Sequence, residues 1–450
     1  MKVTLDFSGS LSTTLQQLYH RQVHGIKPGL EVEQHLLEGL GNPHLKIPVL
    51  HVAGTNGKGS VCAMLESILR ASGLTTGLYT SPHLVDFRER IRVQGSLLAR
   101  KDLQGLLEKV DHQADQVAQA LNGREVTFFE FVTAMAFEYF RQKKVELSII
   151  EVGMGGRLDA TNVVDPLISV ISGIDKDHTM YLGETVEAIA FEKAGIIKNG
   201  RPIVCGFMPI KCMDVIRRVA EKRNAPLFFA EEMVSVKRSG LDPETRRMKI
   251  ETLDGSYGPF TNSLLGPHQL KNGALTIAVL EVLKQVYQIP VTAQAVKKGF
   301  ESLKWPARCQ KLEDAPMILL DAAHNVAGAK ALHATLEDIG KNRDIALIIG
   351  FMQDKDYLGF IKTFSFCTKY CWAVDIPHKR GLPPEKVVEG CQAVGIAAEK
   401  NTLEQALDVG RAWAKERDGV LCIAGSLYLA GEVLRIIIHE KGQALEELFL

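Results

Sequence analysis

Residues 47–73 hold the feature that most restricts how this chain can fold: a strand, a glycine-rich loop and a helix in direct succession. Residues 47–53 are an apolar run rich in β-branched side chains, which predicts a buried strand. From Ser60 onward apolar residues recur at the spacing of one helix face, and Gly73 predicts the end of that helix. The loop between strand and helix, residues 54–60, has the sequence GTNGKGS.

This loop has the properties of a phosphate-binding cradle. Its glycines allow the backbone to turn several N–H groups inward, and the helix that follows directs partial positive charge to the same point. Lys58 can reach a terminal phosphate, and the Ser60 hydroxyl can bind a magnesium ion. The alternative is a plain glycine-rich turn, but strand, loop and helix are all in place and favour nucleotide binding. The spacing is unusual, because Gly59 separates Lys58 from Ser60.

The charge balance of the chain argues against several kinds of partner. Lys and Arg together number 53, as do Asp and Glu, whereas a nucleic-acid-coating surface or a polybasic membrane anchor needs excess positive charge. The eight cysteines are scattered without the paired spacing of a metal site, as is typical of reduced cytosolic thiols. The sequence shows neither a secretory signal nor a run of apolar residues long enough to span a bilayer. We therefore expect a cytoplasmic protein without nucleic-acid or membrane partners.

Apolar strands alternate with amphipathic helices along most of the 450 residues. The runs at 145–153 and 167–174 continue this alternation, which predicts an α/β fold whose mainly parallel sheet is covered by helices on both faces. Residues 225–262 are broken by charge, glycine and proline and predict an antiparallel excursion. After residue 305 the alternation resumes, with apolar runs at 317–321, 345–351, 372–376 and 420–424.

These patterns predict two domains. We expect residues 1–304 to form a P-loop ATPase-like domain with a mainly parallel sheet, and residues 305–450 to form a Rossmann-like α/β domain without a phosphate loop of its own. The nucleotide site lies in the first domain and a second α/β domain follows it in the sequence. We therefore expect the reaction to take place in the cleft between the two domains.

Polar residues follow the predicted strands of the first domain, at the sheet edge where ligands of open α/β sheets bind. Glu151 ends one strand, and Asp177 and His178 follow the next. Magnesium prefers carboxylate and hydroxyl oxygens, which Glu151 offers together with Ser60 or Ser81. The sequence therefore predicts a magnesium site beside the phosphate cradle.

Several other polar residues have a plain alternative. Taken alone, His178 is typical of a hydrogen-bonded loop histidine and Lys193 of a surface lysine paired with an acidic neighbour. The alternating arginines of residues 88–92 favour a solvated strand face over a loop that covers an anionic ligand. For residues 321–325 and 354–356, at strand ends of the second domain, a binding role and a solvated turn are equally supported.

A series of short blocks runs in order from about residue 29 to residue 433: HVAGTNGKGS, SPHL, ERIRV, TFFEF, IIEVGMGGRLDATN, DHTMYLG, FEKAGIIK, GPHQLKN, WPAR, DAAHN, GFMQDKD and AGSLYLAG. Each block is weak alone, but in this order and spacing the chain resembles the folylpolyglutamate synthase and dihydrofolate synthase family. That family is a branch of the Mur ligase group of ATP-dependent amide-forming enzymes, and its cradle carries the glycine inserted here as Gly59. The chain departs from the family at Ala307, where Gly is usual, at Val326, where Pro is usual, and at residues 175–176.

The resemblance implies an ATP site and a metal site. The ATP phosphates would be held by Gly57, Lys58, Gly59 and Ser60. Further ATP contacts would come from Asn272, Arg308 and Asp321, with His324 in the same loop. The metal site would comprise Ser60, Ser81, Glu151, His178 and Lys193, the last matching a lysine that is carbamylated in this family. The implied catalytic set is Lys58, Glu151, His178, Lys193 and Arg308.

The resemblance also implies a binding site for a pterin and a pocket for glutamate. The pterin site would comprise Lys27, Pro28 and Gly29, then Thr127, Phe128, Phe129 and Glu130, and then Leu158, Asp159 and Ala160. The two phenylalanines could offer an aromatic face to a flat ring. The candidates for the glutamate pocket are Asp354, Lys355 and Ser426, where a cation could neutralise a carboxylate of the amino acid.

The activity implied is that of an ATP-dependent ligase that forms an acyl phosphate and adds L-glutamate to dihydropteroate, to the glutamate tail of tetrahydrofolate, or to both. The implied cofactors are ATP, one or two Mg²⁺ ions, K⁺ as a further candidate, and the carbamate on Lys193. The alternatives are a monofunctional folylpolyglutamate synthase, a cell-wall Mur-type ligase, and a catalytically silent nucleotide-binding protein. The segment LDATN, residues 158–162, weighs against the cell-wall ligase. The partners expected are small molecules only, and the protein is expected to be a monomer.

Overall fold

The computed structural model describes residues 18–21, 29–239, 247–340 and 343–449. The first domain is built on an eight-stranded sheet with the strand order β4-β3-β2-β5-β1-β6-β7-β8. Its strands are β1 Val49–Ala53, β2 Thr76–Tyr79, β3 Ile91–Val93, β4 Ser96–Leu97, β5 Leu147–Glu151, β6 Ile168–Ile171, β7 Ile203–Cys205 and β8 Leu227–Phe229. From β2 to β8 all neighbours are parallel, and only β3 and β4 at one edge run antiparallel. The predicted mainly parallel sheet is confirmed.

Helices cover both faces of this sheet. Their bounds are Glu31–Gly39, Lys58–Ala71, Arg100–Ala120, Phe128–Gln142, Thr179–Leu182, Val186–Ala194, Ile210–Lys222, Ala230–Met233, Pro267–Tyr287 and Ala293–Ser302. Successive residues of one strand point to opposite faces, so Leu50 packs with the helix that begins at Lys58, and Val49 packs with the helices on the other side. Short 3₁₀ helices occupy Pro43–Lys46, Phe87–Arg90 and Ala160–Val163.

A small antiparallel sheet follows the eight-stranded one, as predicted for residues 225–262, except that residues 227–229 form the parallel strand β8. Its strands are β9 Val234–Arg238, β10 Arg247–Thr252 and β11 Gly255–Thr261, with β10 in the centre. Phe260 on β11 stacks on Phe300 of the helix Ala293–Ser302 with ring centres 4.8 Å apart. This apolar contact ties the small sheet to the core of the first domain.

The second domain has a six-stranded sheet in the order β12-β13-β17-β14-β15-β16. The strands are β12 Gln310–Asp314, β13 Met317–Leu320, β14 Ile345–Ile349, β15 Thr368–Val374, β16 Ala397–Asn401 and β17 Val420–Ala424. All neighbours are parallel except β12 and β13. The helices are Val326–Ile339, Tyr357–Thr363, Pro384–Ala393, Leu403–Arg417 and Leu427–Lys441, and a 3₁₀ helix spans Leu445–Leu448. The four predicted strands are present, whereas β12 and β16, which lie at the two edges, were missed.

The expected solvated face at residues 88–92 is wrong, because all three arginines are buried. Arg88 pairs with Asp86 and also with Glu446, whose carboxylate lies 3.0 Å from its guanidinium. The guanidinium of Arg92 lies 4.7 Å from the ring centre of Trp305 and 4.0 Å from that of Phe449. The sequence pattern could not reveal this burial, because the covering residues come from distant parts of the chain.

The two domains are in direct contact along the helix Leu427–Lys441. Arg435 of this helix donates a hydrogen bond of 3.0 Å to the carbonyl oxygen of Val85 in the first domain. Gly431 faces the neighbouring carbonyl of Leu84 so closely that a Cβ atom at Gly431 would overlap it. None of the described helices is both long and apolar enough to cross a membrane.

We expect Gly431→Ala to destabilise the protein, because its methyl group would push the helix Leu427–Lys441 away from Leu84. An overpacked contact of this kind costs about 1–3 kcal/mol. The matched control is Gly105→Ala, inside the helix Arg100–Ala120, where a Cβ atom meets nothing within 4 Å. The control should stabilise its helix by about 0.5–1 kcal/mol. Urea unfolding of both variants measures the difference, and equal unfolding midpoints would contradict the close packing at Gly431.

Candidate active site

A cavity of about 330 Å³ lies between the two domains, at the edge where β1, β5 and β6 end. All of the residues predicted to bind ATP or metal line this cavity: Gly57, Lys58, Gly59, Ser60, Ser81, Glu151, His178, Lys193, Asn272, Arg308, Asp321 and His324. They come from both domains and from segments far apart in the sequence. The structure therefore brings the predicted ATP and metal residues together in one place.

The phosphate loop has a backbone that only glycine adopts easily. Gly54 and Gly57 have φ angles of 155° and 86°, and a Cβ atom on Gly57 would lie 2.7 Å from Oδ1 of Asn272. The helix begins at Lys58, two residues before the predicted start, so the loop N–H groups and the helix N-terminus face the same space. The Lys58 ammonium donates hydrogen bonds to the carbonyls of Gly54, at 3.0 Å, and Thr55, at 3.3 Å. This arrangement fits a phosphate-binding loop.

The packing around the inserted Gly59 explains why this position is a glycine. A Cβ atom at this position would lie 3.2 Å from Cζ2 of Trp305, so the indole packs directly against the loop backbone. The face of Trp305 is also contacted by the guanidinium of Arg92. A residue with a side chain at position 59 would move the tryptophan away from the phosphate loop.

The predicted metal ligands have the chemistry of a magnesium site. Glu151 is buried, and its Oε2 accepts a hydrogen bond of 3.0 Å from the backbone N–H of Ser81. Burial raises the pKa of Glu151, and the charge of Lys58 opposes that rise. Burial lowers the pKa of His178, which favours the neutral imidazole that can bind a metal.

Within the described ranges, no three His, Cys, Asp or Glu side chains come together as a metal site. An ion held by Glu151 and His178 would therefore complete its shell with the hydroxyl oxygens of Ser60 and Ser81, with phosphate oxygens and with water. Magnesium is commonly bound in this way, through one or two protein carboxylates and the phosphates of the substrate. The residues present fit the ion that the sequence predicts.

Lys193 is not the surface lysine that its sequence context alone suggests, since only 3% of it is exposed. Its ammonium donates a hydrogen bond of 2.8 Å to the carbonyl oxygen of Gly54, which places it behind the phosphate loop. Burial, with a smaller contribution from the charge of Lys58, lowers the pKa of Lys193 to about 7. At physiological pH a substantial fraction of Lys193 is therefore the neutral amine, which is the form that reacts with carbon dioxide.

Asp177 joins the two domains, a role that the sequence analysis did not assign. Its carboxylate accepts hydrogen bonds from Lys355, at 2.8 Å, and from Asn325, at 2.9 Å, and His324 Nε2 lies 3.7 Å away. Asn325 also contacts Asn56 of the phosphate loop. The position of Asp177 directly before His178 was the available signal, but only the fold reveals its partners. Lys355, a predicted glutamate-pocket residue, is thus already paired across the domain boundary.

Asp321, a predicted ATP residue of the second domain, is held by backbone groups. Asp321 Oδ2 accepts a hydrogen bond of 2.7 Å from the backbone N–H of Cys309, and its Oδ1 accepts one of 2.7 Å from Ala323. Arg308 lies between Ala307 and Cys309, whose φ angles are 54° and 46°. This left-handed backbone accounts for the glycine that the family usually has at position 307.

The departure at Val326 also has a simple explanation. Val326 is the first residue of the helix Val326–Ile339, and Asn325 caps that helix by accepting a hydrogen bond from Gly328. Proline is favoured at the first helical position because its missing N–H has no partner there in any case. Valine at the same place leaves the loop geometry intact.

None of the predicted pterin residues that the structure describes is part of the cavity lining. The side chains of Thr127 and Glu130 form a capping box at the start of the helix Phe128–Gln142. Phe128 is already stacked on Tyr19 with ring centres 5.8 Å apart, so Phe129, which lies against Gly153, is the ring nearer the cavity.

The other predicted substrate residues are placed as follows. Asp159 accepts a hydrogen bond of 2.9 Å from the backbone N–H of Met154, a residue that lines the cavity. Asp159 also caps the 3₁₀ helix that contains Ala160. Leu158 is exposed. Ser426 caps the helix Leu427–Lys441, and Asp354, like Ser426, lies outside the cavity lining. Gly29 is described, with a φ angle of 143°, whereas Lys27 and Pro28 lie outside the described residues.

Comparisons with known protein families identify the family of both domains. Residues 52–280 match the Mur ligase middle domain, and residues 308–436 match the dihydrofolate synthetase C-terminal domain. The chain is 31% identical over 440 residues to the dihydrofolate synthase/folylpolyglutamate synthase of Escherichia coli, covering 97% of this chain and 98% of that protein. It is 37% identical over 346 residues to the Bacillus subtilis protein of the same description, covering 77% and 80% of the two chains.

Solved structures show the same similarity over almost the whole length. Escherichia coli FolC in complex with DHPP and ADP superposes with a TM-score of 0.85 at 30% identity, covering 96% of this chain and 99% of that one. The folylpolyglutamate synthase of Mycobacterium tuberculosis complexed with ADP gives a TM-score of 0.88 at 28% identity, covering 95% and 99%. The chain belongs to the dihydrofolate synthase/folylpolyglutamate synthase family of Mur ligases and is an ATP-dependent ligase.

Proposed function

We propose that this protein adds L-glutamate both to dihydropteroate and to the glutamate tail of tetrahydrofolate. The observation that carries the proposal is the interdomain cavity that holds the phosphate loop together with Glu151, His178, Lys193 and Arg308. The segment LDATN, with Asp159 directed at the backbone beside that cavity, supports dihydropteroate as a substrate. The Escherichia coli and Bacillus subtilis relatives carry both activities in their descriptions, whereas the Lacticaseibacillus casei relative is described as a folylpolyglutamate synthase only.

In the proposed reaction a carboxylate oxygen of the substrate attacks the γ-phosphorus of ATP and forms an acyl phosphate and ADP. The amine of glutamate then attacks the acyl carbon, phosphate leaves, and an amide remains. Lys58 and Arg308, one from each domain, neutralise the charge of the phosphoryl group during transfer. An acyl phosphate hydrolyses in water, so contact between the two domains protects it.

Ser60, Ser81, Glu151 and His178 would hold magnesium, which neutralises negative charge on the phosphates when bound. We further propose that Lys193 is carbamylated: its neutral amine adds to the carbon of carbon dioxide and releases one proton. The product is a carboxylate-like group that can help to hold a second metal. The lowered pKa of Lys193 supports this reaction, because only the unprotonated amine is nucleophilic.

The remaining proposals concern organisation and surroundings. We propose domain bounds of 1–304 and 305–450, with the hinge at residues 305–311, where Trp305 contacts the phosphate loop. We propose that Asp354, Lys355 and Ser426 lie near the glutamate. Lys355 would then leave the carboxylate of Asp177 and pair with a carboxylate of the substrate. The protein is proposed to work in the cytoplasm as a monomer on small molecules only, with K⁺ as a further ion of the site.

A phosphate-release assay tests the proposed function. Purified protein receives ATP, Mg²⁺ and L-glutamate together with dihydropteroate, tetrahydrofolate or a uridine-linked peptide precursor of the cell wall. We expect glutamate-dependent release of phosphate with the first two compounds and none with the third. Release with tetrahydrofolate alone would establish the monofunctional synthase, and release with neither pteroyl compound would refute the proposal.

We predict that Lys58→Ala lowers kcat by at least about 10²- to 10³-fold, because a group that stabilises transition-state charge is lost. The matched control is Lys46→Ala, an exposed lysine in the 3₁₀ helix Pro43–Lys46, which should keep full activity. Circular dichroism should show an unchanged fold in both variants. Near-normal turnover of Lys58→Ala would contradict the phosphate assignment.

We predict that Lys193→Ala is inactive and that formate or acetate partly restores its activity, since a short carboxylate can occupy the position of the carbamate. Lys211→Ala serves as the control, because Lys211 is exposed and only pairs with Glu187 at 3.6 Å. Turnover is measured with and without added carboxylate. Full activity of Lys193→Ala in the absence of carboxylate would remove this lysine from the site.

A further inference from the structure

Arg92, in the strand β3, is a buried arginine that the proposed reaction does not use. Only 5% of it is exposed, and the rings of Trp305 and Phe449 lie against its guanidinium. Its Nε donates a hydrogen bond of 3.2 Å to the carbonyl oxygen of Glu89, the one acceptor that this guanidinium contacts within the described ranges. A buried charge is costly unless it is paired, so the remaining N–H groups of Arg92 are expected to have an anionic partner.

A second cavity, of about 40 Å³, lies beside Arg92 at the boundary between the two domains. Ser81, Glu151 and Arg308 line both this cavity and the larger one that contains the phosphate loop, so the two spaces are neighbours. A single water molecule needs about 10–15 Å³ of such space. The second cavity therefore has room for one carboxylate group of a substrate, but not for a nucleotide.

The charges around the second cavity favour an anion beside Arg92. Burial lowers the pKa of Arg92 to about 10, so its guanidinium stays charged at neutral pH, and Arg308 adds a second positive charge. Two carboxylates also line the cavity. That of Glu89 is held by the backbone N–H groups of residues 84–86, at 2.6 to 2.8 Å. That of Glu151 lies close enough to Arg308 for this charge to oppose the rise of its pKa.

The position of the second cavity along the substrate indicates which carboxylate it holds. The rings of Tyr79 and Phe129 lie 6.1 Å apart, and Phe129 belongs to the segment that we propose for the pterin. Ser81, two residues after Tyr79, lines both cavities, as does Gly59 of the phosphate loop. A pteroyl compound that reaches from Phe129 to the phosphate loop therefore passes the second cavity with the end of its tail.

We propose that Arg92 binds the α-carboxylate of the terminal glutamate of tetrahydrofolate, while the γ-carboxylate of the same glutamate reacts at the phosphate loop. A guanidinium presents parallel N–H donors that match the two oxygens of a carboxylate. Dihydropteroate has no α-carboxylate, because its only carboxylate is the reacting one. Arg92 thus contributes to lengthening of the tail and not to addition of the first glutamate. This inference rests on the proposed function, since it assigns a residue to one of its two substrates.

Steady-state kinetics of Arg92→Met and Arg92→Lys, with each pteroyl compound at saturating ATP and glutamate, test the proposal. Methionine keeps an unbranched chain but removes the charge. We expect Arg92→Met to raise KM for tetrahydrofolate about 10- to 100-fold, the cost of a lost charge-assisted contact, and to leave KM for dihydropteroate unchanged. Arg92→Lys keeps the charge without the paired donors and should give a smaller rise. KM does not depend on the amount of folded protein, so a partial loss of stability leaves the comparison valid.

Arg88→Met is the matched control, because Arg88 is a buried arginine of the same segment that contacts the second domain through Glu446 and lines neither of these two cavities. It should leave both KM values unchanged. A second comparison uses tetrahydropteroyl-γ-aminobutyrate, which keeps the reacting carboxylate and lacks the α-carboxylate. The wild type should bind this analogue about 10- to 100-fold more weakly than tetrahydrofolate, whereas Arg92→Met should show little further loss, because changes to the two partners of one contact are not additive.

Calorimetric titration of tetrahydrofolate into the protein with ADP and Mg²⁺ measures the same loss of affinity without turnover. An Arg92→Met variant with the wild-type KM and Kd for tetrahydrofolate refutes the role of Arg92 and leaves the proposed function standing. An equal rise of KM for both pteroyl compounds, or a rise of KM for glutamate alone, refutes it as well, because Arg92 would then shape the cleft or bind the amino donor. If the wild type releases no phosphate with either pteroyl compound, the proposed function fails, and the titration still decides whether Arg92 binds the tail.

Discussion

The carboxylate of Asp177 is the contact on which the site depends. It comes from the loop after β6 in the first domain, and its partners Lys355 and Asn325 come from the second. Burial alone would raise the pKa of Asp177, but the neighbouring His324, His178 and Lys355 hold it well below its usual value. A carboxylate that stays ionised keeps both domain loops attached, and Asn325 extends the attachment to the phosphate loop. This contact adds to those along the helix Leu427–Lys441 and ties the two sides of the cavity directly to each other.

The basic side chains that line the cavity favour a polyanionic ligand. Lys58, Lys193 and Arg308 all line it, and the lowered pKa of Lys193 reflects in part the repulsion from Lys58. The Lys58 ammonium is held by backbone carbonyls of its own loop. A nucleotide would add negatively charged partners for Lys58 and Arg308, beyond the carboxylates of Glu151 and Asp177 that already line the cavity. Backbone carbonyls thus hold Lys58 and Lys193 in place before any ligand binds.

The sequence alone was sufficient for the parts of the molecule that repeat a local pattern. The buried strands β1, β5 and β6 and the glycine-rich loop were predicted because apolar runs and turn residues act over short distances. The edge strands β12 and β16 were missed, since half-exposed strands lack an apolar run. The predicted ATP and metal residues share one cavity, but the burial of Lys193 and the partners of Asp177 depend on tertiary contacts that no local pattern encodes.

Trp305 lies at the point where the domains join, with the phosphate loop at Gly59 on one side and Arg92 on another. The other two of the three tryptophans, Trp372 and Trp413, pack against each other inside the second domain. An indole beside a guanidinium changes its emission when that neighbour moves, whereas the distant pair should remain constant. The protein thus contains an intrinsic optical reporter, and its fluorescence would record opening and closing of the cleft in real time without any added label.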